Sequence, residues 1–232
     1  MMKKNKSIKI NFIMNAVLTM SSFIFPLITF PYISRILSPV GTGKVAFATS
    51  LITYFAMFAQ LGIPTYGIRS CAKVRDDRNE LSKVVHELLF INLIMSLISY
   101  MFFVAILFII PKLQEERNLY IIISLIILLN AIGMEWLYKG LEEYAYITIR
   151  SIAFKFIALI FMFLFVREQK DYTIYGGITI FASSASNVLN LINSHKYIDW
   201  KKQKGYCFKR HIRPILIFFA MSCATTIYTN LD

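Results

Sequence analysis

Apolar positions along this chain come in long blocks. Ile10 to Ser34 is a run of 25 residues without a charge, and Val45 to Ile68 is another of 24. A helix needs about 20 apolar residues to cross the hydrocarbon core of a bilayer. Between the two runs lies Arg35-Ile-Leu-Ser-Pro-Val-Gly-Thr-Gly-Lys44, so the pair predicts a transmembrane hairpin with a tight Pro/Gly turn at 38–44. The same reading along the chain predicts seven spans, at about 10–37, 45–68, 85–110, 118–138, 146–166, 172–194 and 212–231. Arg150 and Lys155 interrupt the fifth.

Polar residues inside the spans recur at helical spacing. In the first, Asn15, Thr19, Ser22, Pro26 and Thr29 stand at steps of 4, 3, 4 and 3, which puts them on one face of a helix. The second carries Thr49, Thr53, Ala56 and Gln60, with Pro64 and Gly67 beyond. The third carries Asn92, Ser96 and Ser99. The sixth carries Ser183, Asn187, Asn190 and Ser194, and the seventh Ser222, Thr225, Thr229 and Asp232. Such residues also hold membrane helices together, each bond stabilising by about 0.6 kcal/mol. Five stripes together with two prolines in the first span favour a water-filled central cavity, with Gln60, Asn187 and Asn190 on its wall and Pro26 and Pro31 as hinges.

Composition adds the class. Of 232 residues, 57% are hydrophobic and 16% charged, and mean hydropathy is +0.59. A soluble domain of this size cannot hide that much apolar surface, which leaves an all-α polytopic membrane protein. The net charge of +12 does not indicate nucleic acid, because the basic residues sit in short loops between apolar runs. With the N-terminus inside, 19 Lys and Arg face the cytoplasm and 6 face outward. That asymmetry obeys the positive-inside rule and predicts a multi-pass membrane protein with a cytoplasmic N-terminus. Three cysteines without a paired motif imply neither a disulfide framework nor a zinc site, and no cleavable signal peptide is recognised.

Charges at membrane depth are the sharper candidates. Lys155 lies about a turn and a half into span five. A charge at bilayer centre costs about 2.5–3.5 kcal/mol on insertion scales and faces a cavity or partner, or else snorkels to the interface. Arg35 and Arg69 stand at opposite ends of the first hairpin, where each suits an anionic headgroup. Glu135 and Lys139 have the spacing of an i,i+4 ion pair. Gly41-Thr42-Gly43-Lys44 fails the phosphate-loop pattern, since Ser38 occupies the first glycine position and Val45 replaces Ser/Thr. His86, His195 and His211 have no Ser, Cys or Asp arrangement that reads as catalytic. No cofactor or metal is implied.

Two stretches resemble a known family: Arg35 to Arg69, with its Arg-Ile-Leu-Ser-Pro-Val-Gly-Thr-Gly-Lys opening, and Glu135-Trp-Leu-Tyr-Lys-Gly-Leu-Glu-Glu-Tyr-Ala-Tyr-Ile-Thr-Ile-Arg150. Both resemble Wzx-type oligosaccharide repeat-unit flippases, the polysaccharide-biosynthesis branch of the MATE-like exporter superfamily. Two positions depart from the pattern: Lys44 stands where an aromatic residue is common, and Lys139 where a glutamine is. The resemblance implies two six-helix lobes around a central cavity. On that scheme residues 1–211 are the first lobe and 212–232 the first helix of a truncated second. It also implies flipping of an undecaprenyl-diphosphate-linked oligosaccharide for O-antigen or capsule. Membrane lipids, a polysaccharide polymerase and a chain-length regulator would be partners. Arg35, Arg69 and Lys155 would meet the anionic headgroup. The alternatives are a multidrug cation exporter of the same superfamily or an inactive fragment. The exporter predicts an acidic cavity, and the spans show almost no carboxylate besides Glu135 and Asp232.

Overall fold

The computed structural model describes residues 8–231, with side chains through residue 225. Expectations that rest on Lys3, Lys4, Lys6, Asp232 or the Thr229 side chain lie outside the described residues. Among these residues there is no strand. The helices are α1 (Ile8–Ile36), α2 (Ser38–Gln60), α3 (Ile63–Val74), α4 (Arg78–Ile109), α5 (Pro111–Gln114), α6 (Arg117–Gly133), α7 (Glu135–Gly140), α8 (Tyr144–Phe165), α9 (Tyr172–Ile180), α10 (Asn187–Asn193) and α11 (Lys209–Leu231). A π-helical turn, Phe181–Ala185, joins α9 to α10. Four helical segments are long and apolar enough to cross a membrane: α1, α2 running into α3, α4, and α8. Helices are the expected solution, because hydrocarbon offers no partner for a backbone N–H or C=O. Large side chains such as Phe23, Leu27, Phe102 and Phe156 stay exposed on the outside of the bundle, where lipid would cover them.

The bundle has two distinct ends. At one, Arg75 pairs with Glu142 at 2.6 Å, and Arg78 donates to the carbonyls of His195 and Ile198. Asp77 caps α4 there by accepting from the N–H groups of Asn79 and Glu80. Arg69, Lys73, Lys139 and the basic 196–213 segment belong to this end, hereafter the basic end. At the opposite end Glu116 accepts from Lys44 and from Tyr172, which ties the starts of α2, α6 and α9 together.

The expected turn at 38–44 is helical instead. Reversal takes only Leu37 and Ser38, the latter at φ +62°. Pro39 then occupies the first helical turn, where its fixed φ fits and its missing N–H is no loss. The Thr42 hydroxyl donates back to the carbonyls of Ser38 and Pro39. Gly41 is buried against Leu37 and Tyr172. The residues that read as a turn are therefore the packed start of a helix.

Spans two, four and six are not single rods. α2 stops where Leu61 and Gly62 adopt left-handed φ of 45° and 72°. A Cβ on Gly62 would lie 2.5 Å from the Phe219 backbone nitrogen, so α11 crosses too closely there for any other residue. Pro64 restarts the chain as α3. α6 stops at Gly133, Met134 adopts φ 40°, and α7 begins. The third irregularity is the π-helical turn. Three apolar clusters hold the bundle. One at the basic end includes Ile63, Leu88, Leu137 and Tyr138; one between α2, α4 and α6 includes Ile52, Phe103 and Ile123; one between α1, α8 and α9 includes Ile33, Met162 and Ile178.

Candidate functional site

The three helix breaks converge on one cleft. It has a volume of about 320 Å³ and is lined by Gln60, Pro64 and Thr65 from the first break, by Asn130, Gly133, Met134 and Glu135 from the second, and by Asn187, just after the π turn. Asn92, Trp136 and Lys139 complete its polar wall. A helix that stops inside a membrane leaves carbonyls without donors. Here asparagine amides supply them: Asn92 Nδ2 donates to the Ala131 carbonyl at 3.1 Å and Asn190 Nδ2 to that of Gly133 at 2.6 Å. Asn187 Nδ2 donates to Asn130 Oδ1 at 3.0 Å. A Cβ on Gly133 would lie 2.6 Å from Asn187 Cγ, so a larger residue there would displace the Asn187 side chain.

The wall keeps unused hydrogen-bonding capacity. Asn92 Oδ1 and Trp136 Nε1 are buried without a partner. Glu135 is engaged from two sides, by Lys139 at 2.8 Å and by Arg150 at 3.5 Å. Arg150 is 6% exposed, donates to the Ser186 carbonyl at 3.0 Å, and lies over the Tyr146 ring. It pins the end of the π turn to α7. Sequence reading saw Arg150 as an interruption of span five and missed this role; the signal was that same charge in an apolar run.

The six predicted site residues separate. Gln60 and Asn187 meet in the cleft. Asn190 is fully buried; it caps the carbonyl of Gly133, and its own carbonyl accepts from Tyr138 Oη. Lys155 stands on the seam between α8 and α1, where Nζ donates to Ser21 Oγ at 2.9 Å and Ser22 Oγ at 3.0 Å, beside an apolar groove lined by Val17, Ile24 and Phe156. It thus contacts the polar stripe of α1 rather than the cleft. Arg35 is exposed at the opposite end. Arg69 lines a separate groove at the basic end, between α3 and α11. α1 runs unbroken through Pro26 and Pro31.

The stripes likewise divide. Asn92, Ser96 and Ser99 are buried within the bundle, and Ser99 Oγ donates to the Phe55 carbonyl of α2. Thr49 and Thr53 bond the preceding turn of their own helix. Helix–helix and intrahelical bonding accounts for Ser99, Thr49 and Thr53; Asn92 also lines the cleft, and Ser96 Oγ is buried without a partner.

Sequence reading also missed one buried carboxylate. Glu87, fully buried on α4, accepts from the Cys207 N–H, from Arg210 through Nε at 3.0 Å and Nη2 at 2.6 Å, and from His211 Nε2 at 2.6 Å. A carboxylate only accepts, so Nε2 carries the hydrogen. In the neutral ring Nδ1 then accepts from Tyr66 Oη at 2.8 Å. The cluster clamps the start of α11 onto α3 and α4.

A protein of Escherichia coli strain K12, provisionally named an O-antigen transporter, is 28% identical over 193 residues, covering 82% of this chain and 46% of that protein. A Shigella dysenteriae protein with the same provisional name is 24% identical over 225 residues, covering 91% of this chain and 54% of its own length. The chain therefore spans about half the length of these curated relatives. No solved structure matches it. The profile described as "Polysaccharide biosynthesis protein" matches residues 8–232, nearly the whole of the chain, which belongs to that family.

Proposed function

We propose that the chain is a lobe of a transporter that flips a lipid-linked oligosaccharide, carried on undecaprenyl diphosphate, from the inner to the outer leaflet of a bacterial plasma membrane. The observation that carries this reading is the meeting of three helix breaks at one polar cleft inside an apolar bundle. Membrane transporters bind cargo where helices are interrupted, because the interruption exposes backbone and polar groups at depth. Amide and indole groups such as those of Gln60, Asn92, Asn187 and Trp136 suit sugar hydroxyls. The basic end would face the cytoplasm by the positive-inside rule. Residues 1–211 would form one lobe, with α11 opening the second. Pro26 and Pro31 would let α1 bend, since each removes a helical N–H.

Transport rather than enzymatic chemistry is supported by the names of the relatives. The cation-exporter alternative is not favoured, because the one carboxylate lining the cleft, Glu135, is already bound by Lys139 and Arg150. The test is Asn187→Leu with Gln60→Leu in the protein as its host cell expresses it. Surface glycan should fall and lipid-linked oligosaccharide should accumulate inside, at unchanged protein level. Normal glycan in both single variants and in the double variant would sink the reading. Charge reversal, Lys155→Glu, asks separately whether the α1–α8 seam matters to transport.

A further inference from the structure

The segment 197–208 leads into α11 and is fastened to the start of α4. The Asp199 N–H donates to Ser82 Oγ at 2.8 Å, Arg78 donates to the Ile198 carbonyl at 3.3 Å, and the Cys207 N–H donates to Glu87. His86 Nδ1 and Tyr206 Oη share a hydrogen bond at 3.0 Å, and Trp200 Nε1 donates to Ser194 Oγ at 3.1 Å. The segment is therefore a fixed surface rather than a tether. Two classes of side chain mark it. The first is aromatic. Trp200, His86, Tyr206, Phe208 and Phe90 follow one another with ring centroids 5.4 to 6.2 Å apart. Trp200 and Phe90 are exposed, and beyond Phe90 the exposed face of α4 continues through Ile94, Leu97 and Met101. The second is cationic. Lys201, Lys202, Lys204 and Lys209 are exposed and have no ion pair among the described residues. The one carboxylate of the segment, Asp199, accepts from the Lys201 N–H.

The rings run from the end of the bundle down onto the lipid-facing side of α4, while the lysines stay at the end. Cation, then indole and phenol, then hydrocarbon is the order of layers at a membrane surface. Each Lys near an anionic leaflet is attracted by about 1 kcal/mol; a zwitterionic headgroup offers no net charge to draw it. An acidic protein would meet the lysines but has no use for rings that descend toward hydrocarbon. Ser82, His86 and Phe90 stand four apart on one face of α4, whereas Asn92, which lines the cleft, stands on another. We propose that residues 199–209, with Phe90, form a docking surface for the anionic phospholipid headgroups of the leaflet at the basic end. Bulk phospholipid is the partner, not cargo, so the inference stands apart from the function proposed above. Because the same segment enters α11, its hold on the headgroup layer sets where α11 enters the membrane.

The experiment uses the full chain in phosphatidylcholine nanodiscs that carry, at one fixed mole fraction, brominated phosphatidylglycerol or brominated phosphatidylcholine. Tryptophan fluorescence is read, and a Trp200→Phe variant supplies the signal of Trp136 for subtraction. Brominated phosphatidylglycerol should quench Trp200 at least about twofold more than brominated phosphatidylcholine. Lys201→Gln with Lys202→Gln and Lys204→Gln should bring that ratio to about one, as should high salt, which screens exposed charges. The same three positions changed to Arg should keep it. Lys112→Gln with Arg167→Gln and Lys170→Gln removes three exposed cations elsewhere on the bundle and should leave it unchanged. Unfolding midpoints verify that every variant is folded. A ratio of one in the unmodified chain overturns the anionic preference. A ratio that survives the triple glutamine variant overturns the lysines as its source, and an equal fall in the control variant overturns the site. No quenching by either lipid would set Trp200 above the headgroup layer and overturn the lipid in favour of an acidic protein partner.

Discussion

Glu87→Gln is the perturbation whose size the structure defines best. The carboxylate is wholly buried and satisfies four donors, two on Arg210, one on His211 and one on the Cys207 backbone. Removing one member of a buried charge cluster costs about 3–5 kcal/mol. Two features reduce that here. Glutamine keeps the shape and one accepting oxygen, and the Arg210 side chain is 37% exposed, so water recovers part of its charge. His211, at 3% exposed, recovers little. A loss of about 2–3 kcal/mol results, which for a chain of this size corresponds to a midpoint lower by roughly 4–12 °C. Thermal unfolding in nanodiscs reads the midpoint, and amide exchange reads the Cys207 N–H. Arg210→Gln should cost less, and the double variant should fall short of additivity by at least about 0.5 kcal/mol. A Glu87→Gln midpoint within about 1 °C of the parent, with Cys207 exchange unchanged, would refute the clamp.

Three further outcomes follow from the packing. Gly133→Ala places a Cβ against Asn187 at the cleft and should cost about 1–3 kcal/mol by overpacking, readable as a lower unfolding midpoint that Asn187→Ala partly restores. Arg75→Gln removes a pair whose two side chains are about 40% exposed and should shift stability by less than about 1 kcal/mol; a larger shift would show that the link between α3 and the 141–143 turn is structural. At the opposite end, burial pushes the Glu116 carboxyl up, but hydrogen bonds from Lys44 and Tyr172 outweigh it and hold its pKa below the usual carboxylate range. A carboxyl depressed in the folded state stabilises above its unfolded pKa, about 4.3, and loses that contribution as pH falls through the folded value. Lys44→Met should therefore lower the melting midpoint at pH 7 and approach the parent midpoint in acid; an equal gap at both pH values contradicts the coupling.

The residue pattern alone determined that this is a bundle of membrane-crossing helices, because 24 or 25 consecutive uncharged residues have only one stable fate in hydrocarbon. It also placed Gln60 and Asn187 among the candidates, and the Glu135–Lys139 pair followed from i,i+4 spacing. Hydropathy could not show where a helix breaks. Leu61 and Met134 are ordinary helix formers that adopt left-handed φ only because neighbouring helices fix the chain on both sides. The same limit turned 38–44 into a turn on paper and a helix in the fold: Pro39 and Gly41 suit both, and packing against Tyr172 decides.

Tertiary structure alone sorted the polar residues. Asn187 and Asn190 lie three apart on one stripe, yet one lines the cleft while the other caps a carbonyl of the broken α6. Glu87 reads as one charge in the polar start of a span and becomes the buried acceptor of a clamp, because its partners lie about 120 residues away. Spacing along a helix fixes which residues share a face. Which face meets a cleft, a neighbour or lipid depends on contacts between distant segments, and those exist only once the bundle is packed.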